Sequence, residues 1–330
     1  MAAAAAILRS LARAARRDLG TLRSIQVNNF FLFVFLLMYG AFDSGMRPAS
    51  SYPFLLLLGL LLLFPLSSDP LARIPASRLG LWPLSARQRA VLRMASLALS
   101  PVLWFALFLA LRARPSLVAV FVGLAMVGQA VQPRPGARVF RARLPLFPPL
   151  FRNHLRQMLS VLDTWLAIVL SLAGTGYRLL APHPDPAAFP IFAFLVALAM
   201  STYAQCLFAL DGPGGVTRYR LLGLSGRQIL WSKDSAYLAV LAVLVAPLSL
   251  LAGLAFGLTA LAIGHYPSMR QHLPLHRRRF AGGRVWFGGV QMVLGTILAT
   301  ATVRESRLYL LPAVALYGLS VWHCGNMRKL

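Results

Sequence analysis

The chain alternates between long apolar stretches and short segments rich in arginine. Hydrophobic residues make up 58% of the sequence and charged residues only 12%, whereas roughly a quarter of the residues in soluble domains are charged. A helix needs about 20 apolar residues to cross the hydrocarbon of a bilayer. We therefore predict an all-α, polytopic integral membrane helical bundle. The apolar stretches lie at 27–42, 52–66, 94–111, 116–132, 159–180, 189–208, 236–250, 252–266, 285–303 and 308–322.

The distribution of arginine and lysine predicts the topology. With both termini cytoplasmic and about ten spans (nine or ten), 27 of the 33 basic residues fall on the inner side, as the positive-inside rule requires. Residues 236–266 form either one tilted span or two short ones; two are favoured, because one would place Arg277, Arg278 and Arg279 outside. The predicted cytoplasmic segments are 1–26, 67–93, 133–158, 209–235, 267–284 and 323–330.

Residues 1–26 have the pattern of a basic amphipathic helix. On a helical wheel the arginines share one arc and the leucines, including Leu8 and Leu11, share the opposite one. Such a helix lies at the membrane interface, with leucines in the headgroup boundary and arginines against anionic lipid. A disordered basic leader is the alternative. Residues 27–330 would then form the membrane domain.

An eleven-residue segment occurs twice, 140 positions apart. Residues 78–88 and 218–228 are identical at six of eleven positions, and both contain Leu-Ser-x-Arg-Gln. Ser85 and Ser225 are good N-cap residues, since a serine oxygen can accept a backbone N–H of the first helical turn. We interpret the two copies as parallel repeats that each begin a helix; chance similarity in a chain rich in leucine and arginine is the alternative.

The composition also argues against several functions. A net charge of +25 is common in nucleic-acid-binding proteins, but here the basic residues are dispersed between apolar stretches, so no nucleic acid is expected. An ATP-binding P-loop requires Gly-Lys-Ser/Thr, and the only two lysines, Lys233 and Lys329, do not follow glycine. The segment from Asp211 to Gly215 is therefore turn chemistry and not a phosphate loop.

Ionisable residues that could carry chemistry are scarce. Of the eight acids, only Asp163 approaches the inside of an apolar stretch; we expect it to be interfacial or paired with Arg156, with a proton relay as the alternative. His272 and His276 have the spacing of a metal pair but no third ligand nearby. The sequence contains no catalytic motif, and we predict neither enzyme activity, nor a cofactor, nor a metal.

The second copy carries a longer pattern, Asp-Gly-x-Gly followed by Leu-Leu-x-Leu-Ser-x-Arg-x-Ile-Leu-x-x-Lys. It resembles the cytoplasmic loop of ABC-2-type exporter permeases, except that Gly223 stands where the family usually has proline. The resemblance covers about 25 residues. The matching positions are Asp211, Gly212, Gly214, Leu221, Leu222, Leu224, Ser225, Arg227, Ile229, Leu230 and Lys233.

The resemblance implies a function for the two repeated segments. Residues 209–234 would form the loop that couples the permease to a separate cytoplasmic ABC ATPase, through Asp211, Gly212, Leu221, Leu222, Leu224, Ser225, Arg227 and Lys233. A second coupling loop would contain Arg78, Leu84, Ser85 and Arg87. From the residues alone, both segments also fit ordinary helix starts with topology-setting arginines.

The same resemblance implies the wider setting. The chain would be the permease subunit of an ATP-driven exporter in a bacterial inner membrane, paired with a second copy or a related permease. It would move a hydrophobic or amphipathic substrate outward while ATPase subunits supply the energy. A non-transporting membrane scaffold or assembly factor, and a secondary carrier that needs no ATP, are the alternatives.

Overall fold

The computed structural model describes residues 2–20, 26–43, 52–64, 66, 74, 81–113, 115–130, 148–211, 218–219, 221–270, 273 and 275–325. These residues are almost entirely helical, as predicted. These ranges also contain two short strands, Gln26–Val27 and Gly283–Arg284, and two short 3-10 helices, Ala209–Asp211 and Arg307–Tyr309. The α-helices are α1 (Ala2–Gly20), α2 (Asn29–Asp43), α3 (Tyr52–Leu63), α4 (Ala86–Leu97), α5 (Pro101–Ala113), α6 (Ser116–Ala130), α7 (Pro149–Met158), α8 (Leu162–Leu180), α9 (Ala188–Ala204), α10 (Gly226–Val245), α11 (Leu250–Arg270), α12 (Val285–Arg304) and α13 (Leu310–Gly325).

Several helices have the length and composition of membrane spans. In the described part of the chain, α10, α11, α12 and residues 307–325 are each long and apolar enough to cross a bilayer. The helices α7 and α8 pass the same test together, although they are bent by 79° at a short break. The chain is thus a helical membrane protein, its described residues form four to five long apolar helices, and the larger count of ten spans stays a prediction.

The helical hairpin expected at 236–266 is present, but its first helix is longer than predicted. α10 ends at Val245 and α11 begins at Leu250. α10 starts at Gly226, so ten residues assigned to the loop 209–235 are helical. Because Lys233 and Asp234 are polar, the hydropathy pattern did not indicate the first half of this helix. The predicted loops 67–93 and 133–158 likewise contain helix, in α4 and α7.

The chain divides into two compact units. Residues 1–27 with 31–137 form the first, and residues 28–30 with 138–330 form the second. Within the first unit, α1 packs on α4 through an apolar cluster of Ile7, Leu11, Leu84 and Leu92. Residues 2–20 form a helix, and Leu11 is buried against α4. Membrane binding by the exposed arginines of α1 stays a prediction.

The second unit is built around α11, which packs against α9, α10, α12 and α13. Small residues let these helices approach closely. A Cβ added to Gly264 would lie 2.6 Å from the carbonyl oxygen of Ala204, so α9 and α11 touch backbone to backbone. The start of α10 also meets the end of α13, where a Cβ added to Gly226 would lie 3.0 Å from the carbonyl oxygen of Gly325.

Candidate functional site

The turn that precedes α10 is built by a glycine. Gly223 has a φ of 73°, in the left-handed region that favours glycine. The N–H of Leu224 donates to the carbonyl of Tyr219 at 3.2 Å, which is the bond that ends a helical turn in a Schellman motif. Proline is fixed near a φ of −65° and cannot take this conformation. Gly223, which stands where the permease loops it resembles usually have proline, thus forms a turn that proline could not form.

A capping box begins α10. The hydroxyl oxygen of Ser225 accepts the N–H of Gln228 at 3.3 Å, and the Gln228 side-chain oxygen accepts the N–H of Ser225 at 2.9 Å. Ser85 and Gln88 make the same pair of bonds at the start of α4, at 3.2 and 3.0 Å. Both predicted N-caps are confirmed, and the two segments that are similar in sequence have the same local structure.

Large apolar side chains stand in the open on both turns. Leu221 is 83% exposed and Leu222 is 72% exposed, while the matching Leu81 and Trp82 are 83% and 42% exposed. Four more predicted residues are also exposed: Ser225 and Arg227 in the second copy, and Ser85 and Arg87 in the first. Each helix start therefore presents an apolar pair followed by a serine cap and an arginine.

Other predicted residues lie beneath this surface. Leu224 is half-buried and Leu84 is buried. Lys233 and Asp211 are also buried, with exposed side-chain fractions of 2% and 5%, and their charged groups pair at 2.8 Å between Nζ and Oδ2. The two charges compensate each other inside the protein, and the predicted role of both residues in coupling stays a prediction. Gly212 and Arg78 lie outside the described residues.

Asp211 joins three parts of the second unit. Its Oδ1 accepts from Gln157 Nε2 of α7 at 2.7 Å and from the Tyr219 hydroxyl of the turn at 3.0 Å, and its Oδ2 pairs with Lys233 of α10. The partial burial of Tyr219 and the carboxylate of Asp211 raise the pKa of the phenol above its usual value, so it remains a donor. Lys233 also donates to the carbonyl of Leu207 at 2.8 Å. These bonds offset the cost of burying two charges.

A second buried cluster surrounds Asp234, the residue after Lys233 on α10. Its Oδ1 lies 3.1 Å from Nε2 of His265 on α11, and its Oδ2 accepts the hydroxyl of Tyr317 on α13 at 2.9 Å. Ser320 lies 2.9 Å from the other ring nitrogen of His265. Sequence reasoning missed this cluster; the signal was polar residues inside otherwise apolar stretches, which are expensive in a membrane unless they are paired.

Two further polar clusters connect residues far apart in the sequence. Gln291 Oε1 accepts from Asn29 Nδ2 and from Gln205 Nε2, each at 2.8 Å. The carboxylate of Asp163 accepts from Asn28 Nδ2 at 2.6 Å and from the N–H of Ala281 at 2.7 Å. The predicted pairing of Asp163 with Arg156 is wrong, since an amide side chain and a backbone N–H hold this carboxylate instead.

No group of three or more His, Cys, Asp or Glu side chains that could hold a metal ion occurs in the part of the chain that the structure describes. The residues singled out above provide hydrogen bonds, charge and exposed apolar surface. No protein-family model, curated protein or solved structure matches this chain.

Proposed function

We propose that this chain is the permease subunit of an ATP-driven exporter of the ABC-2 type, and that a separate ATPase docks on the turn before α10. The observation that carries the proposal is the exposed group of Leu221, Leu222 and Arg227 at the start of a helix long enough to span a membrane. The resemblance of the 209–234 segment to the coupling loop of these permeases supplies the identity of the partner.

The chemistry of the turn suits a protein partner. Exposed apolar side chains beside a polar rim are typical of docking sites, and arginine is enriched at the centres of interfaces. The capping box of Ser225 and the Schellman bond of Leu224 hold the turn in one shape. A preorganised surface loses less conformational entropy on binding, which favours recognition by a folded partner.

The buried cluster beneath the turn provides a route for mechanical coupling. Tyr219 belongs to the turn, and its hydroxyl bonds to Asp211, which is tied to Lys233 of α10 and Gln157 of α7. A partner that displaces the turn would therefore displace α7 and α10 together. ATP-driven movement of the ATPase would in this way alternate access to a pathway for a hydrophobic or amphipathic substrate.

The remaining parts of the proposal follow the family resemblance. ATP would be hydrolysed on the partner, and this chain would itself be no enzyme. It would pair with a second copy or a related permease in the inner membrane of a bacterium. The turn before α4, with Leu81, Trp82 and Arg87, would offer a second docking surface of the same chemistry.

The decisive experiment is purification of the tagged chain from its native host in mild detergent, with identification of the proteins that accompany it. We expect an ABC ATPase with the wild type. The double variant Leu221→Asp/Arg227→Glu should reduce its recovery at least about tenfold, as loss of central contacts does in other interfaces. The control for the arginine is Arg307→Glu, which reverses the charge of the same residue type at an exposed position predicted to face the outer side.

Two results would contradict the proposal in different ways. If no ATPase accompanies the intact, membrane-inserted wild type, the permease function is wrong, and the scaffold or the ATP-independent carrier takes its place. If an ATPase is recovered equally with the turn variant, the partner docks elsewhere on the chain. A photo-crosslinking side chain at Leu222 separates direct contact from indirect effects, because only direct contact labels the ATPase.

A further inference from the structure

The Asp234 cluster contains enough hydrogen-bond partners to locate its protons. Asp234 and His265 are both fully buried, and Asp234 Oδ1 lies 3.1 Å from His265 Nε2. Ser320 Oγ lies between His265 Nδ1, at 2.9 Å, and the carbonyl oxygen of Ala262, at 2.7 Å. The cluster joins α10, α11 and α13, and the permease proposal assigns it no role.

Ser320 fixes the state of the first ring nitrogen. A carbonyl oxygen can only accept, so the serine hydroxyl donates its one hydrogen to Ala262. The serine oxygen can then only accept from His265, and Nδ1 must carry a hydrogen. If Ser320 instead donated its hydrogen to His265 Nδ1, the Ser320 and Ala262 oxygens would face each other at 2.7 Å as two acceptors.

The second ring nitrogen then requires a proton between it and the carboxylate. The Tyr317 hydroxyl donates to Asp234 Oδ2 and supplies nothing to Oδ1. If His265 were neutral with its hydrogen on Nδ1, its Nε2 lone pair would face the anionic Oδ1 of Asp234. Two acceptors at 3.1 Å repel one another in a buried setting. A shared proton removes the conflict, whether it is placed on Nε2 or on Oδ1.

We propose that Asp234 and His265 form a proton-binding site inside the helical bundle, and that the bound proton holds α10 to α11 and α13. The ligand is a single proton, and the occupied pair is neutral overall. Loss of the proton leaves the carboxylate opposed to a lone pair and weakens the contact between the three helices. The site is separate from the proposed docking surface, because Asp234 and His265 are fully buried whereas Leu221 and Leu222 are exposed.

Other ionisable groups surround the site, and they are the same in the wild type and in the Asp234→Asn variant. Asp234 acts electrostatically on four side chains from its own helix and from α13, and Arg270 on α11 acts on one of them. Across α10, the Lys233 side chain meets Asp211 and His154, and Asp163 of α8 acts on Tyr237. The four side chains are Lys233, Tyr237, Tyr317 and Cys324.

The proton gives stability a definite dependence on pH. Unfolded histidine loses its proton near its ordinary pKa of about 6.5. A folded chain that keeps this proton above that pH loses stability as the pH rises, and we expect this loss in the wild type. The Asp234→Asn variant needs no such proton, because the asparagine N–H can donate to a neutral Nε2 while its oxygen still accepts from Tyr317.

The experiment measures thermal unfolding of the full chain in detergent from pH 5 to 10, for wild type and Asp234→Asn. We expect the midpoint of the wild type to fall relative to the variant by about 5–10 °C above pH 6.5. The midpoint of the Asp234→Asn variant should not decline until the pH reaches the range in which lysine and tyrosine titrate. Parallel curves for the two proteins would overturn the proposal. If the variant does not fold, the spectroscopic measurement below decides.

Nitrogen NMR of histidine-labelled wild type tests the same site without a substitution at Asp234. The signal of His265, assigned as the one missing from His265→Gln, should show a hydrogen on Nδ1, either in the imidazolium or in the neutral Nδ1–H form. A neutral ring with its hydrogen on Nε2 would overturn the proposal. That result would mean that Ser320 donates to the ring and that the pair carries a net negative charge.

Discussion

The two repeated turns share a surface but differ beneath it. Leu81 and Leu221 are equally exposed, and Ser85 and Ser225 make the same capping box. Below the first turn, Leu84 is buried in an apolar cluster formed with α1. Below the second, the buried group is the ion pair of Lys233 and Asp211. Similar exposed surfaces are thus supported by an apolar contact in one copy and by charge in the other.

The position eight residues after each capping serine shows the difference most directly. It is Arg93 in the first copy, where the side chain is half-buried, and Lys233 in the second, where it is buried. A lysine ammonium is compact, whereas a guanidinium presents five donors that are harder to satisfy inside a protein. Burial in the second copy depends on Asp211, which lies fourteen residues before the cap. The local sequence thus determines the surface of each turn, and residues farther along the chain determine what supports it from beneath.

Breaking the ion pair should separate the two copies most strongly. Asp211→Asn keeps the shape of the side chain but leaves Lys233 buried without a counter-charge. Removing one partner of a buried pair typically costs about 3–5 kcal/mol, and we expect a loss of that size in the free energy of unfolding measured by denaturant titration in detergent. In the first copy, removing the charge of Arg93, which matches Lys233, by Arg93→Met should stay within about 0.5 kcal/mol.

A double variant sharpens this result. Asp211→Asn combined with Lys233→Met removes the uncompensated charge, and buried pairs replaced by uncharged residues often lose little stability. We expect most of the loss caused by Asp211→Asn alone to be recovered. If the single variant is as stable as the wild type, the lysine reaches water, and the anchor of the second turn does not depend on charge.

The features set by short-range sequence were predictable. Leu-Ser-x-Arg-Gln contains both halves of a capping box within four residues, so Ser85 and Ser225 could be assigned without knowledge of the fold. The hairpin break between Val245 and Leu250 was also predicted, since a single span would have reversed the sidedness of an arginine cluster. Each of these features depends on residues close together in the chain.

The features that depend on distant residues were not predictable. The partner of Asp163 is Asn28, 135 positions away, and that of Asp234 is His265, 31 positions away. A hydropathy profile counts each such residue as a polar interruption, because it holds no information about hydrogen-bond partners on other helices. For the same reason the start of α10 was placed ten residues late, and Lys233 was assigned to a loop.

Exchanging the turn residues tests whether the two surfaces are interchangeable. Gly223→Pro imposes a φ near −65° where the second turn has 73°, so the bond from Leu224 to Tyr219 must break. We expect a loss of about 1–3 kcal/mol in stability and faster hydrogen exchange of the Leu224 amide. The reverse change, Pro83→Gly, should have a smaller effect, since glycine can adopt any conformation that proline does. Equal effects would mean that the turns have the same backbone.

The smallest expected effect is the one that should be the same in both copies. Ser85→Ala and Ser225→Ala each remove the oxygen that accepts the N–H of a glutamine three residues later, and loss of such a cap typically costs about 1 kcal/mol. Hydrogen exchange of the Gln88 and Gln228 amides measures each cap separately, and both amides should exchange about five times faster or more. Because the caps have the same local geometry, a clear difference between the two serines would come from the layer beneath them, where the ion pair lies under only one turn. Equal changes would instead show that each helix start is stabilised locally, which is what a repeated docking surface on two different supports requires.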